Sequence, residues 1–155
     1  MQVVIQEVNT REAFEQTLAI RREVFIEEQG VPEALEIDAY DEDISTHYLL
    51  ARSGEGALGT LRMRSAHDAH TLKIERVAVK KAARGMHIGQ KLMEEAERWA
   101  RAHGYRRLYL HAQKQVVPFY EKIGFHGLGA PFIEADIEHL AMEKWLTQYD
   151  LSLNT

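Results

Sequence analysis

The stretch from Arg76 to Met93 constrains the fold of this chain more than any other. Arg76-Val-Ala-Val-Lys-Lys-Ala-Ala-Arg84-Gly-Met-His-Ile-Gly89-Gln-Lys-Leu-Met reads as a strand, a turn rich in Lys, Arg and Gly, and an amphipathic helix that begins at the turn. A helix N-terminus presents unpaired N–H groups and a partial positive charge, so a turn that feeds one is a natural pyrophosphate cradle. Gly85 and Gly89 allow close backbone approach, and Arg84, Lys80 or Lys81 add charge. The competing reading is a surface turn whose glycines serve only chain reversal. The sequence carries no Walker lysine pattern and no Gly-x-Gly-x-x-Gly, which removes support for nucleotide hydrolysis and dinucleotide binding.

The rest of the chain alternates helical and strand periodicities around this segment. Residues 2–8 read as a first strand, and Asn9 with Glu12 has capping-box spacing. Phe14, Leu18, Arg21 and Phe25 predict a long helix over 10–28, ended by Gly30 and Pro32. A short helix and loop fill 33–46. Strands are predicted at 47–53, 57–66 and 71–79, split by Ser-Gly-Glu-Gly and by His67-Asp68-Ala69-His70. Ile88, Leu92, Ala96 and Trp99 form one helical stripe, with Glu94/Arg98 and Glu97/Arg101 on the outer face and Gly104 closing the helix. Arg107–Ala112 is strand-like, Val116–Ile123 is a short helix ended by Gly124, and the tail around 139–146 is a final strand. The order β-α-(α)-β-β-β-α-β-α-β-β, without repeats or linkers, predicts an α/β (α+β) fold with a mixed sheet and helices on both faces.

At 155 residues the chain suits one domain, 1–155, large enough to bury a core. Cysteine is absent, which excludes disulfides, thiolate metal sites and a cysteine nucleophile. There is no secretory signal and no run near the roughly 20 apolar residues that span a membrane, so a cytoplasmic location is the expectation. A formal net charge of −5 argues against a nucleic-acid partner. The charge is unevenly placed. Eight acidic residues and no Lys or Arg lie between Glu27 and Asp43, whereas Lys73, Arg76, Lys80, Lys81, Arg84 and Lys91 surround the turn. This layout suits an anionic ligand at one place and a cationic one at another; alternatively the acidic run is a solvated loop and helix face. His67 and His70 on a predicted hairpin turn make an incomplete metal site, so no metal is expected.

The turn resembles the acyl-coenzyme-A signature of the GNAT superfamily of N-acetyltransferases, Arg/Gln-x-x-Gly-x-Gly/Ala. Arg84 and Gly89 take the first and last places, and His87 stands where the central glycine is expected. A second segment, Pro118-Phe-Tyr-Glu-Lys-Ile-Gly-Phe125, is similar to the Tyr-x-x-x-Gly-Phe segment on the late helix of that fold. Leu110-His-Ala-Gln-Lys-Gln-Val-Val-Pro-Phe-Tyr and Arg22-Glu-Val-Phe-Ile-Glu-Glu-Gln-Gly-Val-Pro more narrowly resemble a bacterial branch that includes the YjcF and ElaA proteins. The resemblance covers nearly the whole chain. It implies a GNAT-type, mostly antiparallel central sheet and acetyl-CoA as cosubstrate. It further implies pairing of the pantetheine arm with backbone at Val77, Ala78 and Val79, and a pyrophosphate site over Arg84, Gly85, Met86, His87, Ile88, Gly89 and Gln90. Gln113 falls where many members carry an Asn that contacts the coenzyme.

Two residues are candidates for chemistry. The departing thiolate of coenzyme A needs a proton, and the Tyr120 phenol, held by a helix, is the expected general acid. The alternative is a packed aromatic, as Phe119 is expected to be. Glu75 lies two residues before Val77, so on a regular strand both face one way, and the resembled family places a carboxylate there to draw a proton from the attacking ammonium. Burial would have to raise its pKa; the alternative is an ion pair with Arg76 or Arg62. His111, near the centre of the sheet, is either a second base or a satisfied buried histidine. The function expected is transfer of an acetyl group from acetyl-CoA to an amine by direct attack in a ternary complex, since no cysteine can carry the acyl group. The acceptor is a small-molecule or peptide amine, with the acidic run favouring the former, and an exposed sheet edge would suit a homodimer. The alternative is a non-catalytic acyl-CoA-binding sensor or interaction module on the same fold.

Overall fold

In the computed structural model, which describes residues 2–54 and 56–146, the strands are β1 (Val4–Glu7), β2 (His47–Ser53), β3 (Gly56–Ser65), β4 (Thr71–Val79), β5 (Arg107–Gln113), β6 (His126–Glu134) and β7 (Ile137–Trp145). The helices are α1 (Arg11–Arg21), α2 (Glu33–Glu36), α3 (Ile88–Ala102) and α4 (Val117–Lys122). The sheet has seven strands in the order β1-β2-β3-β4-β5-β7-β6 and is mostly antiparallel. A parallel ladder joins β4 to β5, from Thr71↔Arg107 to Lys73↔Tyr109. The described chain divides into two units, the first ending at Arg64 and resuming over Ile74–Ala96, the second comprising Ser65–Lys73 and the residues from Glu97 onward.

In the first unit α1 begins one residue later than the Asn9 box predicts. Thr10 is extended (φ −126°, ψ 157°), and its hydroxyl accepts from the Ala13 N–H at 3.1 Å, which satisfies one of the orphan donors of the first turn. The helix then continues as expected to Glu28, but from Arg22 onward it is π-wound. Ala13, Ile20, Val24, Leu50 and Ala78 form a core, with Val8, Phe25 and Ala57 packed against it. Gly59 on β3 sets how closely α3 seats. A Cβ there would lie 3.0 Å from the Ala78 carbonyl, 3.1 Å from Ile88 and 3.2 Å from Leu92, so a larger residue would press on the first turns of that helix.

The helical spacing that buries Leu18 also buries Arg21, which is 0% exposed, as is Arg62 on β3. A buried guanidinium is tolerated only when its donors are paired. The acidic run supplies the partners. Arg21 makes a two-point contact with Asp41 (2.7 and 3.0 Å) and reaches the Glu36 carbonyl at 2.7 Å. Arg62 contacts Asp38 (2.8 Å), Asp41 (3.1 Å) and Glu75 (3.0 Å). Arg76 binds Glu36 (2.8 Å) and Asp38 (3.2 Å), and Arg64 binds Glu75 at 2.6 Å while lying over the Tyr40 ring. Tyr48 donates to Asp41 at 2.6 Å. Glu36, Asp38 and Asp41 therefore form neither a solvated face nor a reserve of charge for a cationic ligand. They neutralise arginines of the core.

In the second unit β5 pairs with β7 along its length, from Arg107↔Trp145 to Gln113↔His139. Leu108, Leu110 and Ala112 are buried on one face, while Arg107, Tyr109, His111 and Gln113 alternate onto the other. The β6–β7 hairpin turns through Ala135 and Asp136, both left-handed (φ 51° and 61°), as a type I′ turn requires. The last turns of α3 end at Gly104 (φ 83°), where Trp99 stacks on His103 at 3.9 Å. Glu97 joins Arg101 (3.0 Å) and Lys144 (2.6 Å).

Asp41 carries a testable consequence. Burial raises its pKa, but the Arg21 guanidinium and the Tyr48 hydroxyl outweigh burial and hold the carboxyl well below the ordinary range. A depressed folded-state pKa contributes stability that is present above the unfolded value, about 3.9, and is lost as pH falls towards the folded one. At Glu36 burial prevails and the shift is upward, so its contribution has the opposite sign. Asp41→Asn should cost about 3 kcal/mol in urea unfolding at neutral pH, because two buried guanidiniums lose a charged partner. The variant should also lose stability less steeply than the parent below about pH 4.

Candidate functional site

The predicted turn and helix are present, and the geometry of the turn follows from two left-handed residues. Gly85 has φ 86° and His87 φ 60°. The second value is the one a glycine at this place would adopt freely. Histidine is among the side chains that tolerate it, at a cost of roughly 1–2 kcal/mol. His87 therefore preserves the backbone path, and its exposed imidazole points the departure from the signature into solvent rather than into the core. The first backbone bond of α3 runs from the Lys91 N–H to the His87 carbonyl at 3.0 Å. The N–H groups of Ile88, Gly89 and Gln90 thus precede the point at which helix geometry supplies acceptors. Ile88 is buried and anchors the turn, while Arg84, Gly85, His87 and Gln90 are exposed. An accessible first turn of a fifteen-residue helix with two left-handed residues before it fits a pyrophosphate.

Arg84 does not stand free beside this turn. Its guanidinium makes two bonds to Glu28, at 2.6 and 2.8 Å, and its Nε donates to the Val79 carbonyl at 3.1 Å. Glu28 lies at the end of the π-wound segment, 56 residues away in sequence, and no local pattern signals the pair.

On β4 the structure changes the reading of Glu75. Arg76 is left-handed (φ 57°), so the strand is irregular there and the two-residue spacing to Val77 no longer places both side chains on one face. The Glu75 Oε1 accepts from Arg62 (3.0 and 3.2 Å) and from Arg64 (2.6 Å), and Oε2 accepts from Arg64 (3.2 Å). Arg62 is the ion-pair partner expected from the sequence. Arg76, the other expected partner, bonds instead to Glu36 and Asp38. A carboxylate whose lone pairs are taken by two guanidiniums is poorly placed to accept a proton from an amine. Of the strand residues expected to meet a ligand through backbone, Ala78 is buried, and Val77 and Val79 are half-buried.

In the second unit Tyr120 occupies the last turns of α4. The Gly-Phe that follows is the device that stops this helix. Gly124 is left-handed (φ 101°), and the Phe125 N–H returns to the Tyr120 carbonyl at 3.0 Å. The Tyr120 ring meets Phe119 and Phe125 edge-on and is 6% exposed. Burial pushes its phenol above the ordinary value, which keeps it protonated, as a proton donor must be. Phe119, expected in the core, is only half-buried. Gln113 ends β5, and its amide oxygen accepts from Gln115 at 2.8 Å. On the same face of β5 the Tyr109 hydroxyl lies 3.1 Å from His111 Nε2, and His111 Nδ1 lies 3.3 Å from Glu134. Glu134 could not have been found from sequence, because the β6–β7 register alone brings it there. Among the described residues no group of three or more His, Asp or Glu is placed to hold a metal ion. No described helix is long and apolar enough to cross a membrane.

The chain as a whole is similar to known proteins. The acetyltransferase (GNAT) domain family matches residues 6–146. The uncharacterized N-acetyltransferase YjcF of Bacillus subtilis is 36% identical over 126 residues, which cover 81% of this chain and 87% of that protein. An acyl-CoA N-acyltransferase from Pseudomonas aeruginosa superposes with a TM-score of 0.79 at 30% identity, covering 93% of this chain and 99% of the other. Escherichia coli ElaA superposes with a TM-score of 0.82 at 24% identity, over 92% and 99% of the two chains, which shows the shared fold. The match over residues 6–146, the relative at 36% identity and the mixed, mostly antiparallel seven-stranded sheet together place this chain in the GNAT family of acyl-CoA-dependent acetyltransferases.

Proposed function

We propose that this protein transfers an acetyl group from acetyl-CoA to an amine by direct attack in a ternary complex. The observation that carries the reading is the left-handed pair Gly85 and His87 at the accessible start of α3, a backbone path that suits an anion even where the signature glycine is absent. In this reading the N–H groups over Gly85–Gln90 receive the pyrophosphate, and backbone at Val77, Ala78 and Val79 pairs with the pantetheine arm. Gln113 contacts the coenzyme through its amide. Arg84 supplies charge next to the phosphates, its guanidinium held in place by Glu28. Tyr120 gives its proton to the departing thiolate. The acceptor is a small-molecule or peptide amine. The buried pairing of Glu36, Asp38 and Asp41 removes the charge argument that favoured a small cationic one.

Coenzyme A at about a hundred times its Kd should add about 2.7 kcal/mol of stability, read as a rise in Tm. Gly89→Val should abolish that rise by placing a branched side chain where phosphate must approach the backbone. A folded variant that binds as well as the parent would move the coenzyme elsewhere. His87→Gly should raise stability by about 1 kcal/mol through relief of the left-handed strain, with coenzyme affinity level or improved. A collapse of affinity would show instead that the imidazole itself holds the ligand.

Tyr120→Phe keeps the ring and deletes the acid. Turnover should fall by about ten-fold or more while coenzyme binding is nearly unchanged, the pattern of an interaction made mainly in the transition state. Unchanged turnover at saturating acceptor, with chemistry rate-limiting, would remove Tyr120 from the mechanism. Coenzyme binding by a parent protein that acetylates no amine would identify a sensor rather than an enzyme.

A further inference from the structure

Resting on the acetyl-transfer reading above, we infer that the Tyr109–His111–Glu134 chain on β5 and β6 is the proton-accepting relay for the acceptor amine. His111 is the terminal base, and Glu134 is the residue that positions it. An alkylamine is an ammonium at neutral pH and must lose a proton before its lone pair can attack a carbonyl carbon. The sequence suggested Glu75 for this work, but both its oxygens are engaged by Arg62 and Arg64. The second unit holds an arrangement better suited to it.

Its tautomer follows from the neighbours. The Glu134 carboxyl lies below its ordinary value, first through its hydrogen bond with His111 and against the effect of burial, so it is ionised and can only accept. His111 Nδ1 therefore carries the hydrogen and donates to Glu134 at 3.3 Å. This leaves the lone pair on Nε2, which receives the Tyr109 O–H at 3.1 Å. The proton path runs through that hydroxyl. One N–H bond of the ammonium breaks as an O–H bond forms at Tyr109; the original Tyr109 O–H breaks as an N–H forms at Nε2. The products are a neutral amine and an imidazolium beside a carboxylate. The imidazolium later returns its proton to solvent. The second proton on nitrogen leaves as the thiolate is protonated, so the overall reaction releases one proton.

The surroundings fix the parts and complete the charge inventory. Phe132 of β6 packs edge-on to His111 at 4.9 Å, and His67 packs edge-on to Tyr109 at 4.5 Å. His139 of β7 has its Nδ1–H donated to the Ile137 carbonyl at 2.7 Å and turns Nε2 towards Glu134 at 3.9 Å. Arg107 lies over the Tyr109 ring, and Lys73 of β4 acts on Glu134 from a distance. The His111 side chain is 21% exposed, so it is open to solvent yet held on both nitrogens. A histidine that served packing alone would need neither a carboxylate on one nitrogen nor a phenol on the other.

The test is the pH dependence of kcat/KM for an alkylamine acceptor in the parent, His111→Gln, Tyr109→Phe and Glu134→Gln, with the coenzyme A melting shift measured on each. The parent should show an acid limb and then a plateau. In His111→Gln the rate should fall about a hundred-fold at neutral pH, the limb should vanish, and the rate should instead climb about ten-fold per pH unit, tracking the free neutral amine. Tyr109→Phe should show the same loss of plateau, and it carries the test if His111→Gln fails to fold. Glu134→Gln should lower kcat with KM for the amine nearly unchanged, because the imidazole loses the carboxylate that fixes its tautomer. Coenzyme shifts should be those of the parent throughout. A parent plateau retained in His111→Gln and Tyr109→Phe overturns the relay and leaves acetyl transfer standing. A parent that acetylates no amine removes both.

Discussion

Burying a guanidinium without a partner costs far more than a domain of this size can absorb, and the first unit buries two of them. The answer is a connected set in which Arg21, Arg62, Arg64 and Arg76 meet Glu36, Asp38, Asp41 and Glu75. This set ties α1, the 36–41 segment, β3 and β4 into one body. Such networks are weak evidence for net stability, since apolar residues of the same volume often do as well. They are strong constraints on arrangement, because every member depends on the others for compensation. The position of β4 at Glu75 and Arg76 is set here, directly upstream of the strand end that leads into the turn before α3.

That junction also shows how local strain is held in place. Arg76 and His87 both adopt left-handed backbone that bulky side chains avoid. At Arg76 the cost is offset by charge-assisted bonds to Glu36 and Asp38 and by two carbonyl contacts, to Leu35 and Glu36. At His87 the burial of Ile88 immediately afterwards fixes the start of α3, so the turn has little freedom to relax. Strained residues persist where the surroundings over-determine them, and such places concentrate at binding sites. The Glu28–Arg84 pair adds a link between the end of the π-wound segment and the same turn.

The contrast between Glu75 and His111 illustrates how environment, rather than residue type, sets what a side chain can do. The Glu75 carboxylate has both its oxygens engaged by the guanidiniums of Arg62 and Arg64. An imidazole between a carboxylate and a phenol has one nitrogen committed to donating and the other to accepting. The second arrangement is the one on which the proposed relay rests.

Much of the architecture was legible along the chain. The 2- and 3.6-residue periods located β2, β3, β4, α3 and β5 to within a few residues, because each buries one face and the period of burial is a local property. The strand–turn–helix around Arg84–Gly89 and the Tyr120…Gly124-Phe125 helix end were legible for the same reason: a turn that starts a helix and a helix stop are made from consecutive residues. What the periods could not reveal was pairing between distant segments. Glu36, Asp38 and Asp41 looked like the rest of the acidic run, which is exposed, because their arginine partners lie up to 40 residues away, on α1, β3 and β4. The face of Glu75 depended on a left-handed residue that no pattern announces at an arginine. Glu134 reaches His111 only through the β5–β7 and β7–β6 registers. Backbone conformation driven by neighbours belongs to the sequence, whereas the partner of a buried charge, and so its chemistry, is decided by tertiary packing.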